Sequence, residues 1–147
     1  MHELVVTRLI EAAPAKVWEA MVERTNEWWC PRPWRAEMNF GARKPGCQTE
    51  ATMYGPDGEV NKHPGHLLAW DEESRFAITD AIQGDLQPAG PFMLGIWEIE
   101  PEGDSTRYTA RARHWTAESR AHHLDMGFLE GWGTCADQLK ALCEEDR

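Results

Sequence analysis

The sequence predicts an α+β chain in which a curved antiparallel sheet wraps around one long C-terminal helix, with two short helices after the first strand. Three observations carry that expectation. A β-branched opening strand runs straight into a proline-initiated helix. The middle of the chain is a series of strand-like segments separated by Pro/Gly turns. The end of the chain is a sustained helical pattern.

Residues 4–10 are rich in Val, Leu and Ile and read as the first strand. Ala13-Pro14 opens a helix, because proline lacks only an N–H that the first turn leaves unbonded. Val17, Trp18, Ala20 and Met21 form its apolar stripe, and it is expected to stop near Arg24-Thr25-Asn26. A short helical piece carries Glu27-Trp28-Trp29, and Cys30-Pro31-Arg32-Pro33 ends it, since neither proline continues a helix. Strands follow at 34–40 and 47–54, the second with Cys47, Thr49, Ala51 and Met53 on one face. Gly55-Pro56-Asp57-Gly58 is a hairpin turn. The return strand, 59–70, is expected to bulge or form an edge at His63-Pro64-Gly65. Further strands are expected at 75–81 and 92–100, joined by a loop over 83–91, and Pro101-Glu102-Gly103-Asp104 is another turn. Over 106–115, Tyr108, Ala110, Ala112 and His114 alternate with Arg107, Thr109, Arg111 and Arg113. The arginines must face water, so His114 faces inward. Residues 117–144 are expected to form one long helix, with Leu124, Phe128, Gly131, Cys135, Leu139 and Leu142 on one arc. Gly127, Gly131 and Gly133 inside it serve either close packing or space for a ligand beneath the helix.

With 147 residues and no repeat or linker, the chain is expected to be one domain, 1–147. Apolar residues at 41% and charged residues at 27% exclude a disordered chain and a membrane-embedded one. A formal net charge of −10 repels phosphate backbones and anionic lipid, so nucleic acid and membranes are not expected partners. The first residues lack a signal peptide's basic and apolar segments, and the four cysteines contain no C-x-x-C pair. Reduced thiols and a cytoplasmic location are the expectation. Eight tryptophans fit either an oversized core or an aromatic-lined pocket.

Chemistry-bearing motifs are few. His63-Pro64-Gly65-His66 and the adjacent His122-His123 lack the converging third ligand that a metal site needs, so no metal is expected. The three serines, Ser74, Ser105 and Ser119, sit in no nucleophile context. Gly131-Trp132-Gly133 follows no strand and cradles no phosphate, and no cofactor is expected. Acid–base work in an apolar pocket remains, with His114 and Asp80 as the catalytic candidates. Asp80 shares strand parity with Phe76 and Ile78, and a carboxylate can orient an imidazole to move protons. Strand parity puts Met53, Phe76, Met93, Trp97 and His114 on the concave face, with Phe128 and Trp132 from the helix and Trp28 and Trp29 closing one end. Mostly apolar walls with one or two polar anchors suit a small-molecule pocket.

Several short segments, in this order and spacing, carry a resemblance over nearly the whole chain. They are Ala13-Pro14-Ala15-Lys16-Val17-Trp18, Glu27-Trp28-Trp29-Cys30-Pro31, Gly55-Pro56-Asp57-Gly58-Glu59, Thr79-Asp80-Ala81, Pro91-Phe92-Met93 and Met126-Gly127-Phe128-x-x-Gly131-Trp132. The chain resembles bacterial homologues of the heat-shock-protein ATPase activator C-terminal domain, within the START-like (SRPBCC) superfamily that includes the polyketide cyclases. The resemblance implies a helix-grip fold whose cavity, between sheet and C-terminal helix, often takes an apolar ligand. Binding of a small apolar or aromatic molecule is the first functional expectation. A cyclase- or dehydratase-like enzyme using His114 and Asp80 is the second. The chaperone activator has a separate chaperone-binding domain for which this chain has no room, which leaves a chaperone-associated interaction module as the third.

Overall fold

The computed structural model describes residues 1–89 and 93–145. The elements are β1 (His2–Ile10), α1 (Pro14–Glu23), α2 (Thr25–Trp28), β2 (Arg35–Asn39), β3 (Gln48–Tyr54), β4 (Val60–Asp71), β5 (Arg75–Thr79), β6 (Ile82–Gln83), β7 (Gln87–Pro88), β8 (Leu94–Glu102), β9 (Ser105–His114), α3 (Ala117–Asp125) and α4 (Phe128–Glu145). Among the described residues, seven strands form one curled antiparallel sheet in the order β1-β9-β8-β5-β4-β3-β2, and β6 pairs only with β7. The architecture is α+β: a curled sheet around a long C-terminal helix, with short helices after the first strand.

Antiparallel register lines up the inward residues of successive strands. One rung runs Leu4, Ala112, Gly95, Ile78 and Leu67; the next runs Val6, Ala110, Trp97, Phe76 and Trp70. Their alternates turn outward into ion pairs. Glu3 holds Arg111 and Arg113 at 3.0 and 2.7 Å, and Arg107 holds Glu102 at 2.9 Å. The arginine face therefore turns outward as the alternation required, and His114 is buried. Helix α4 is fastened to β1 and the residue just past it by three polar links: Arg8 to Asp137 at 2.7 Å, Lys140 to the Leu9 carbonyl at 2.8 Å, and the Glu11 N–H to Glu144 at 2.8 Å. Its apolar stripe, Cys135, Ala136, Leu139, Leu142 and Cys143, is buried in the core.

Two expectations are corrected and a third is refined. The terminal helix is not continuous from residue 117: Gly127 adopts φ +92°, a conformation that side-chain-bearing residues rarely take, and α3 ends before it. The Gly127 carbonyl then accepts the Gly131 N–H at 2.8 Å, starting α4 in a new direction. The bulge or edge expected at His63-Pro64-Gly65 is present as an edge: among the described residues, 60–65 pair with β3 and have no strand on the other side, and the register shift of β4 lies farther on, between Leu67 and Ala69. Pro64 is tolerated because pairing with β5 begins only at His66, so no ladder bond is needed from its nitrogen on that side. The stretch expected as a plain loop contains the small β6–β7 ladder, and the Ile82 carbonyl bonds to buried His66 Nδ1 at 2.8 Å. The expected strand start at Phe92, with the Pro91-Phe92 part of its motif, lies outside the described residues.

Candidate aromatic site on the inner face

The rung containing Trp97 builds the most distinctive feature of the interior. Trp70, Phe76 and Trp97 are brought side by side from three strands, and α4 lays Trp132 on the end. Ring centroids are 5.6, 5.2 and 5.4 Å apart along this series, with interplanar angles of 24°, 19° and 18°, so the four rings stack. Gly95 permits this: a Cβ there would lie 2.5 Å from the benzene ring of Trp97, which folds back over its backbone. Trp29, half-buried, meets Trp97 and Trp132 edge-on at 5.6 and 5.2 Å, and Trp28 meets Trp29 and Tyr108 in the same way.

The indole N–H groups divide into two kinds. Trp18 and Trp70 both donate to the Glu72 carboxylate, at 2.8 and 2.9 Å, and Trp28 donates to the Ala20 carbonyl at 3.1 Å. Trp97 Nε1 and the Tyr108 hydroxyl, both buried, have no hydrogen-bond partner among the described residues. An unsatisfied buried donor costs about 1–3 kcal/mol, so two on one inner face stand out. Burial also holds the Tyr108 hydroxyl well above its ordinary pKa, so it remains a donor.

His114 lies at the end of β9, in register with His2. Its Nε2 is 2.9 Å from His123 Nδ1, and its Nδ1 is 3.4 Å from the His2 carbonyl. A carbonyl only accepts, so Nδ1 of His114 carries hydrogen, its Nε2 accepts, and Nδ1 of His123 donates. The basic nitrogen of the pair is then His123 Nε2. His123 packs against Phe128 at 4.9 Å and Trp132 at 5.8 Å. Burial depresses both imidazoles; His123 is pushed down to about 4, with His114 adding to the effect. Asp80 stands one residue past β5, takes the Met93 N–H on Oδ1 at 3.4 Å, and acts on His114 through its charge. The group in direct contact with His114 is thus a second histidine. Sequence reading weighed His123 only as a metal ligand, because the break at Gly127 hides its angular relation to Phe128 and Trp132.

The structure brings Trp28, Trp29, Phe76, Trp97, Phe128 and Trp132 into one aromatic cluster, with Met93 packed on the core and His114 at its margin. Met53 stands apart: it pairs with Ala36 and Asn61, beyond the end of β5. Gly131 has open space where a side chain would stand, whereas Gly133 has Arg8 Nη2 within 3.2 Å of that position. A hollow of about 440 Å³ lies outside Trp29, walled also by Cys30, Arg32, Trp34 and Arg35. Burial pushes the Cys30 and Cys135 thiols up to about 11 and about 12, which keeps them protonated and unreactive at neutral pH. Trp115, Met126 and Leu129 are exposed around α3. Among the described residues, no cluster of His, Cys, Asp and Glu could hold a metal, and no helix is long and apolar enough to cross a membrane.

Comparison with known proteins agrees with this architecture. Residues 11–144 match the family described as Activator of Hsp90 ATPase homolog 1-like protein. No curated protein matches the chain. A solved structure from Nitrosomonas europaea shares 32% identity over 98% of this chain and 95% of that one, with a TM-score of 0.86. One from Mycobacterium smegmatis shares 25% identity over 95% and 89%, with a TM-score of 0.76. The AHSA1 protein of Silicibacter pomeroyi shares the fold at 16% identity over 99% of each chain, with a TM-score of 0.74. The fold is that of helix-grip domains, which are generally ligand-binding. With the sheet order, the α4 clamp and the family match all in agreement, the chain belongs to the Activator of Hsp90 ATPase homolog 1-like family of the SRPBCC superfamily.

Proposed function

We propose that this chain binds a small, flat, largely apolar molecule on the inner face, between the sheet and α4, in a cytoplasmic setting. The observation that carries the reading is the pair of buried donors, Trp97 Nε1 and the Tyr108 hydroxyl, left without acceptors beside an aromatic stack. A ligand carbonyl or ether oxygen satisfies them, while its ring system lies against Trp97, Trp132 and Phe128. Trp29 is the half-exposed ring at the rim, and its displacement admits the ligand. An uncharged aromatic ketone, 2-acetonaphthone, is the probe. Saturable quenching of tryptophan fluorescence below ~1 mM and a raised melting temperature are expected. Tyr108→Phe is expected to weaken that binding about tenfold while stabilising the free protein by about 1 kcal/mol, because it removes an unsatisfied hydroxyl. Absence of saturable binding, or a destabilised Tyr108→Phe variant with unchanged affinity, overturns the reading.

The hydrogen bond between His114 and His123 favours a second reading, a cyclase- or dehydratase-like enzyme. The His123 imidazole would take the α-proton of a bound β-hydroxyketone at Nε2 and return it to the departing β-hydroxyl, which leaves as water as the C=C bond forms. His114 accepts from His123 Nδ1 to hold that tautomer, and Asp80 acts through its charge on His114. Dehydration of an aromatic β-hydroxyketone is the assay. His114→Ala is expected to abolish turnover with the melting transition retained; equal turnover in the variant, or none in the parent, removes this reading.

A further inference from the structure

The hollow outside Trp29 is a separate place from the inner-face stack, and its walls have a different chemistry. We infer that it is a second binding site, for a planar aromatic anion such as a bicyclic carboxylate. Its volume of about 440 Å³ falls within the usual range for small-molecule sites. Trp29 and Trp34, both half-buried, supply flat apolar walls. Trp34 is held in place from behind, since the position of a Cβ on Gly55 lies 2.8 Å from its ring.

Charge decides the sign of the ligand. Glu27 is the acidic residue in the wall, and Arg24 already grips both its oxygens, at 2.6 and 2.9 Å. That leaves Arg32 and Arg35. Arg35 holds Glu37 at 3.0 Å and stacks on Tyr54 at 4.3 Å. Arg32 forms no ion pair among the described residues: its Nη2 donates to the Glu27 carbonyl at 3.3 Å, and the Glu27 carboxylate acts on it only through charge. On a chain of net charge −10, a guanidinium that forms no ion pair, while the carboxylate whose charge acts on it is already gripped by Arg24, is a local exception in a wall that also holds two indoles. Its planar fork matches a carboxylate in two parallel hydrogen bonds, which an uncharged amide cannot reproduce.

The site is also built rather than incidental to a loose loop. Gln138 of α4 donates to the Trp28 and Cys30 carbonyls at 2.8 and 2.9 Å and accepts the Arg32 N–H at 3.1 Å, so one side chain fixes the backbone that carries Trp29 and Arg32. This site does not depend on the inner-face proposal, because Arg32, Trp34 and Arg35 line it and none of them belongs to the aromatic stack.

The test is a titration of the full chain with 2-naphthoate and with uncharged 2-naphthamide, followed by calorimetry and by the indole N–H signals in NMR. The expected result is at least tenfold tighter binding of 2-naphthoate, with shifts at Trp29 and Trp34 and none at Trp18. Arg32→Gln, an exposed substitution expected to leave the circular dichroism unchanged, should erase the preference, and Arg32→Lys should restore only part of it. Equal affinity for the two probes, an unaltered preference in Arg32→Gln, or no 2-naphthoate binding at millimolar concentration overturns the proposal. Shifts centred on Trp97 instead of Trp34 also overturn it and assign the anion to the inner face.

Discussion

At His123, burial favours the neutral ring, so between about pH 4 and the unfolded value near 6.5 the unfolded chain binds a proton that the folded chain does not. Stability therefore rises with pH across that window and falls on acidification. The expected loss from pH 7 to pH 4 attributable to this ring is roughly 1–3 kcal/mol. His114, depressed for the same principal reason, contributes with the same sign. Urea titrations at successive pH values check this. His123→Phe should keep the contacts to Phe128 and Trp132 and show a shallower slope between pH 4 and 6.5; parallel slopes in the two proteins would contradict it. Sequence parity reached His114 because a strand reports its faces in alternate residues. It did not reach Tyr108 as a site residue, since an unsatisfied hydroxyl is a property of three-dimensional surroundings.

Among the elements, those with a strong local cause were legible. Pro14 starts α1 where expected, and the arginine alternation defines the two faces of β9. Elements that depend on distant partners were not. The β6–β7 ladder has two residues per strand and stands against buried His66, so little in its own composition announces it. The break between α3 and α4 was visible as Gly127 but ambiguous, because a glycine inside a helical pattern serves equally as a stop or a packing site. The segment after α2 is an element in its own right, pinned by three hydrogen bonds to Gln138. Gln138→Ala is expected to cost about 2 kcal/mol and to increase the solvent quenching of Trp29 fluorescence. A variant as stable as the parent, with unaltered emission, would show that the segment holds itself.

At the scale of the whole molecule, β1 and β9 are adjacent in the sheet although they stand near opposite ends of the chain, and α4 is clamped onto β1 and the residue just past it by Asp137, Lys140 and Glu144. That closure is what places Trp132 over Trp97, residues that belong to different elements with no local relation. The sequence by itself determined the order of the main strands and helices, the two faces of β9 and the family, because periodicity, turn chemistry and short motifs act through neighbours along the chain. Only the tertiary structure decided that four rings stack across three strands and a helix, that His114 meets His123, and that Trp97 and Tyr108 keep unanswered donors. Each of these depends on strand register and on the seating of a helix. Those are set by the packing of the whole core, and no single stretch of residues encodes them.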